Sequence, residues 1–132
     1  MKYSRNAVYT RVAEAISSQH GNGVYTTSRY VPKPPSFPAC YVHEIDNNRP
    51  LQNMQLDYQD VQWESVFEAQ VISDKANIAA SEAYAIFETI KSAFNAMYYR
   101  EFSEVTFDRG ERFTIVGRFR RTIGGGDNMP NT

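Results

Sequence analysis

Residues able to do chemistry are few in this chain of 132 residues, and their spacing works against them. Cys40 and His43 come closest to a nucleophile with its base. A separation of three along a strand, however, sends the two side chains to opposite faces. The other histidine, His20, precedes Gly21-Asn22-Gly23, the place of an exposed helix-end residue facing the negative end of the helix dipole. One cysteine and two histidines make no zinc-site spacing. Glu64 and Glu68 share one strand face; flanking Val66 on an outward side, they read as a solvated face rather than as two walls of a cleft. Asp57 and Asp60 offer oxygens to a hard cation, at a spacing that matches no calcium loop. The glycines at 124–126 lack the Lys-Ser/Thr and the following helix of a phosphate cradle. Arg118, Arg120 and Arg121 around Phe119 resemble a basic strand with an interleaved aromatic, without a recognised RNA-binding motif. The expectation is a protein that is not an enzyme and uses no metal and no cofactor.

Composition sets the frame for those residues. The length suits one domain of roughly 100–150 residues, and 42 % apolar with 22 % charged residues is ordinary globular material. Nine Tyr and eight Phe supply a core and also the stiff, half-polar rings that interfaces favour. A lone cysteine fits synthesis in a reducing cytosol. The N-terminal residues lack the uninterrupted apolar stretch of a signal peptide, and no run approaches the ~20 apolar residues of a membrane span. Net charge is −1, yet residues 1–33 hold five basic and one acidic residue while residues 44–82 hold two basic and eight acidic. Such segregation suits docking between complementary surfaces.

The elements follow from periodicity. Val8, Val12, Ala15 and Ile16 predict a helix over 5–19, with Ser4 as N-cap and the Gly-Asn-Gly as its end. A β-rich piece at 24–30 leads to four prolines within 32–38, which stiffen the entry to a strand at 39–45. Residues 46–60 are polar, with Asn47-Asn48 and Arg49-Pro50 as turn material. A strand at 61–73 alternates, sending Trp63, Ser65, Phe67, Ala69 and Val71 to the core. Ala79, Ala83, Ile86, Phe87, Ile90, Phe94 and Met97 predict a long helix over 75–99, with Asp74 at its N-cap. A hairpin follows, with arms at 104–107 and 112–123; Phe113, Ile115, Gly117 and Phe119 point one way, Arg118 and Arg120 the other. The fold class is α+β: an antiparallel or mixed sheet with both helices on one face, in the order α-β-β-β-α-β-β, and a more polar opposite face. Residues 1–123 form the single domain, and 124–132 a flexible tail.

This pattern resembles the tail-terminator, or tail-completion, proteins of long-tailed bacteriophages. The likeness rests on the N-terminal helix with Val8, Val12 and Ile16, the Pro-Pro-x-Phe-Pro entry at 34–38 into the strand at 39–45, the strand at 66–73, the helix through Ile86, Ile90 and Phe94, and the final strand at 112–121. It spans about residues 4–123 and contains no diagnostic motif. It implies a virion protein of the head–tail junction, made in the host cytoplasm, that forms a homo-oligomeric ring, commonly a hexamer. The ring would cap the tail-tube protein, stop polymerisation and present a surface to the neck, or head-completion, protein. DNA would pass through without sequence recognition, and no membrane is involved. Under this resemblance the segment with Arg49, Leu51, Met54, Leu56 and Tyr58 is the expected subunit or tube contact. Arg118, Arg120 and Arg121 are the expected lumen or neighbour contact. The alternatives are a head–tail connector of the same virion, a small module for single-stranded nucleic acid, or a small enzyme using Glu64, Glu68 or Asp60.

Overall fold

The computed structural model describes residues 5–29, 31, 34–48, 63–74, 78–109 and 112–123. The expected Ser4 cap, the loop carrying Arg49, Leu51, Met54, Leu56, Tyr58, Asp57 and Asp60, the side chain of Trp63 and the tail at 124–132 lie outside the described residues.

The order is α1 (Arg5–His20), a 3-10 turn (Gly21–Gly23), β1 (Tyr25–Thr27), β2 (Ala39–Asn48), β3 (Trp63–Ser73), α2 (Ala79–Ala96), β4 (Arg100–Asp108) and β5 (Phe113–Ile123). The strands form one mixed five-stranded sheet in the order β1-β2-β3-β5-β4. β1 pairs parallel with β2, and the remaining pairs are antiparallel. Both β3 and β4 run antiparallel to β5, so α2 connects two parallel strands with β5 inserted between them, a split β-α-β unit. The fold class and element order are those the periodicity predicts.

Both helices cover one face. Val8, Val12 and Ile16 of α1 join Ala83, Ile86, Phe87, Ile90 and Phe94 of α2 in a core with Cys40, Val42, Phe67, Ala69, Val71, Ile115 and Phe119. Spacings of three and four keep these residues on one stripe of each helix, and each large one contributes roughly 1.5–3 kcal/mol through burial. α1 ends at a glycine that the chain needs, because Gly21 has φ +70°, in the left-handed region.

Several boundaries differ from expectation, each for a local reason. β2 runs on to Asn48, so Asn47 and Asn48, read as turn material, pair with Ser65 and Glu64. A bulge between Glu44 and Asp46 resets the register there. Asp74 does not cap α2: the N-cap position is Ile78, which makes no side-chain cap bond. Instead Glu82 in the first turn accepts a hydrogen bond of 2.5 Å from Ser73 Oγ, tying the helix start to the end of β3. α2 also stops at Ala96 rather than 99. The amides of Tyr99 and Tyr98 donate back to the Phe94 and Asn95 carbonyls, at 2.9 and 3.0 Å, which is a Schellman closure. Tyr98 takes the left-handed position at φ 66°, where glycine is usual; a side chain there costs roughly 1–2 kcal/mol. The sharp stop frees residues 100–103, so the first hairpin arm begins at Arg100 rather than 104.

Candidate functional site

The three C-terminal arginines do not share a face. Alternation along β5 puts Arg118 and Arg120 on the uncovered side and Arg121 on the helix side. There the Arg121 guanidinium donates to the Met97 carbonyl at 3.0 Å, serving the C-terminus of α2. Arg118 is occupied as well, with Nε 3.0 Å from Glu68 Oε2. Glu68 in turn lies 4.0 Å from His43 Nε2, its register partner on β2. His43 stacks on Tyr41, centroids 4.2 Å apart. Burial holds its pKa below the ordinary histidine value, against the pull of Glu68. Cys40 lies in the core on the opposite side of β2 from His43, so the two cannot cooperate. His20 ends α1 as expected but is half-buried rather than exposed: its Nε2 is 2.8 Å from Thr89 Oγ1, linking the two helices.

Arg120 belongs to a different group. In the β4–β5 register it stands directly opposite Arg100. The bulge between Glu101 and Ser103 turns out Phe102, whose ring lies 5.1 Å below the Arg120 guanidinium. Arg121 lies 5.5 Å over the ring of Tyr98. Tyr98, Arg100, Arg120, Arg121 and Thr122 line one concave surface at the end of the β4–β5 pair. Reading residues through 99 as helix hid Tyr98 and Arg100 from this group; the signal available was the end of the apolar stripe at Met97.

The uncovered sheet face is less polar than the sequence led us to expect. Phe102, Val105 and Phe107 are 45 %, 46 % and 44 % exposed on β4, an edge strand. Val105 and Phe107 pair with Val116 and Thr114 on that face. On the helix side of the same edge, Lys91 Nζ is 3.4–3.6 Å from carboxylate oxygens of Glu88, Glu101 and Glu104. Three carboxylates against one ammonium leave this flank acidic. Burial, then Glu104, raises the pKa of Glu101.

At the opposite edge β1 is three residues long and pairs with Ala39, Cys40 and Tyr41. The rest of β2 extends past it, and a cleft there is lined by Asn6, Tyr9, Arg29, Val42, His43 and Glu44. Below it runs a buried chain of hydrogen bonds: Ser65 Oγ donates to Glu44 at 3.0 Å and lies 2.8 Å from the Tyr99 hydroxyl. Burial pushes the Tyr99 phenol up to about 12, and the Cys40 thiol likewise to about 12. Both folded-state values lie above the unfolded ones, so the neutral groups stabilise the fold fully below about pH 9 and that contribution is lost as pH rises toward about 12. Stability measured by urea unfolding is expected to fall over this range. Tyr99→Phe should flatten the part above about pH 10, and Cys40→Ala the part beginning near pH 9.

Among the described residues no group of three or more His, Cys, Asp or Glu is placed to hold a metal ion, and no described helix is long and apolar enough to cross a membrane. No family model matches the chain, and no curated protein matches it. One similar solved structure is a chain of the "Virion of native gene transfer agent (GTA) particle", at 18 % identity and a TM-score of 0.46, over 88 % of this chain and 90 % of that one.

Proposed function

We propose that the protein is a structural subunit of a phage-type virion, assembling with copies of itself into a ring at the head-proximal end of the tail tube. The ring ends tube polymerisation and presents the attachment surface for the neck, and DNA passes through its lumen without sequence recognition. One observation carries the self-assembly: Phe102, Val105 and Phe107 stand exposed on a strand that, among the described residues, is the edge of the sheet. Unpaired backbone with apolar side chains is a template for another chain. The occupant is a second copy, because the two edges of the sheet are unlike: β4 offers an edge of nine residues with exposed apolar side chains, whereas β1 pairs with three residues of β2 and the rest of that strand runs on past it. A contact between unlike ends propagates head to tail, the kind of interface that closes into a ring when the rotation between neighbours closes. The segment with Arg49, Leu51, Met54, Leu56 and Tyr58, which follows β2, is assigned to gripping the tube. The order of elements resembling tail terminators supports this position in the virion.

The test is light scattering over a concentration series with electron microscopy of the product. Rings or larger species are expected, and Val105→Lys should return them to monomers without lowering the melting temperature. Binding to purified tails that lack heads distinguishes a tail cap from a connector, which would bind the head portal instead. A protein that stays monomeric at high concentration, and gains nothing from added tail tubes, would refute the proposal.

A further inference from the structure

We infer that the corner built by Tyr98, Arg100, Arg120 and Arg121 is a binding site for the phosphodiester backbone of nucleic acid, engaged without regard to base sequence. Two choices that work against folding converge there. Arg100 and Arg120 are directly opposed across β4 and β5, and like charges in that relation destabilise a sheet. No ion pair joins either of them to a carboxylate among the described residues. A few residues away Tyr98 holds a left-handed backbone conformation and is 75 % exposed. Strain kept in this way marks positions retained for something other than stability.

The chemistry of the corner identifies the ligand. Arg120 and Arg121 each lie over an exposed aromatic ring, Phe102 and Tyr98. A guanidinium stacked by its face keeps N–H groups at its edge for an oxyanion, and the fork fits phosphate oxygens two at a time. Arg121 is held in place by its hydrogen bond to the Met97 carbonyl and borders the opposed pair. Cationic groups alternating with exposed rings are what a nucleic-acid backbone with unstacked bases requires. An acidic peptide would use the charges and leave the rings idle. The inference stands on Arg100, Arg120 and Tyr98, and does not need the ring assembly.

The test is fluorescence anisotropy with a labelled single-stranded DNA 20-mer and its duplex, over a salt series. Affinity should fall with salt at a log–log slope of about −1.5 to −3, as expected for two or three phosphate contacts at about 0.7–0.9 each. Arg100→Gln with Arg120→Gln should weaken binding at least tenfold and bring the slope about 1–2 units closer to zero, with no loss of melting temperature. Tyr98→Gly should raise the melting temperature and still weaken binding. Arg118→Gln, which removes the partner of Glu68, should leave affinity nearly unchanged. Equal binding by the double variant, an equal loss in Arg118→Gln, or displacement of the DNA by polyglutamate at matched charge would overturn the proposal.

Discussion

Phe94→Ala is expected to remove about 3–5 kcal/mol of folding stability, a large part of the 5–15 kcal/mol typical of a domain. Phe94 is fully buried where the helix layer meets the centre of the sheet. Its ring stacks on Phe119 at 4.4 Å and 14°, and lies 5.6 Å from Phe67 and 5.3 Å from Tyr99. Truncation deletes all three contacts at once. The cavity also lies beneath the Schellman closure, whose acceptor is the Phe94 carbonyl. Urea unfolding of the variant should show a much lower midpoint with m unchanged. Phe94→Leu should recover more than half of the loss, since most of the volume returns. A cost below about 1 kcal/mol for the alanine variant would mean that the aromatic cluster is not the centre of the core.

Gly117→Val should be as damaging, through the opposite error. A Cβ at residue 117 would lie 2.3 Å from Phe87 Cζ and 2.8 Å from its Cε1. No real contact is that short, and Phe87 is itself buried, 6.1 Å from the Phe119 ring. The ring cannot withdraw without disturbing Phe119, so even Gly117→Ala should cost about 1–3 kcal/mol and valine more. Glu101 Oε2 would stand 3.4 Å from the same Cβ. That atom is buried, so a valine would also crowd the Glu101 carboxylate. Shortening the opposing ring supplies the check. Gly117→Ala combined with Phe87→Leu should be less destabilised than the sum of the two single variants, with a coupling of about 1 kcal/mol or more. Simple additivity would show that the close approach has no energetic consequence.

Gly117 illustrates a limit on reading the chain by itself. Alternation places it on the helix side of β5 with Phe113, Ile115 and Phe119, and the structure agrees. Nothing local says that the missing side chain is the space a phenylalanine from α2 occupies. The arginines show the same limit more sharply. Residues 118, 120 and 121 read as one basic group, yet a strand period of two separates the last from the others. Their partners, Glu68 for Arg118, the Met97 carbonyl for Arg121 and the opposed Arg100 for Arg120, come from three different elements. Equally, Phe102 joins Val105 and Phe107 among the exposed apolar residues of β4 because the strand begins four residues earlier than its alternation suggests and bulges there. The cause is a helix stop made by a tyrosine where a glycine is the usual sign.

Periodicity alone determined the α+β class, the order of elements, the buried stripes of both helices and the inward faces of β3 and β5. These are the features for which burying a spaced set of apolar side chains is the dominant energy, and that spacing is written along the chain. The tertiary structure decided the helix end at Tyr98, the tether from His20 to Thr89, the fit of Phe87 over Gly117 and the gathering of Tyr98, Arg100, Arg120 and Arg121 at one corner. Each of these depends on which residues distant in sequence come into register, and register is a property of the assembled sheet rather than of any window of sequence.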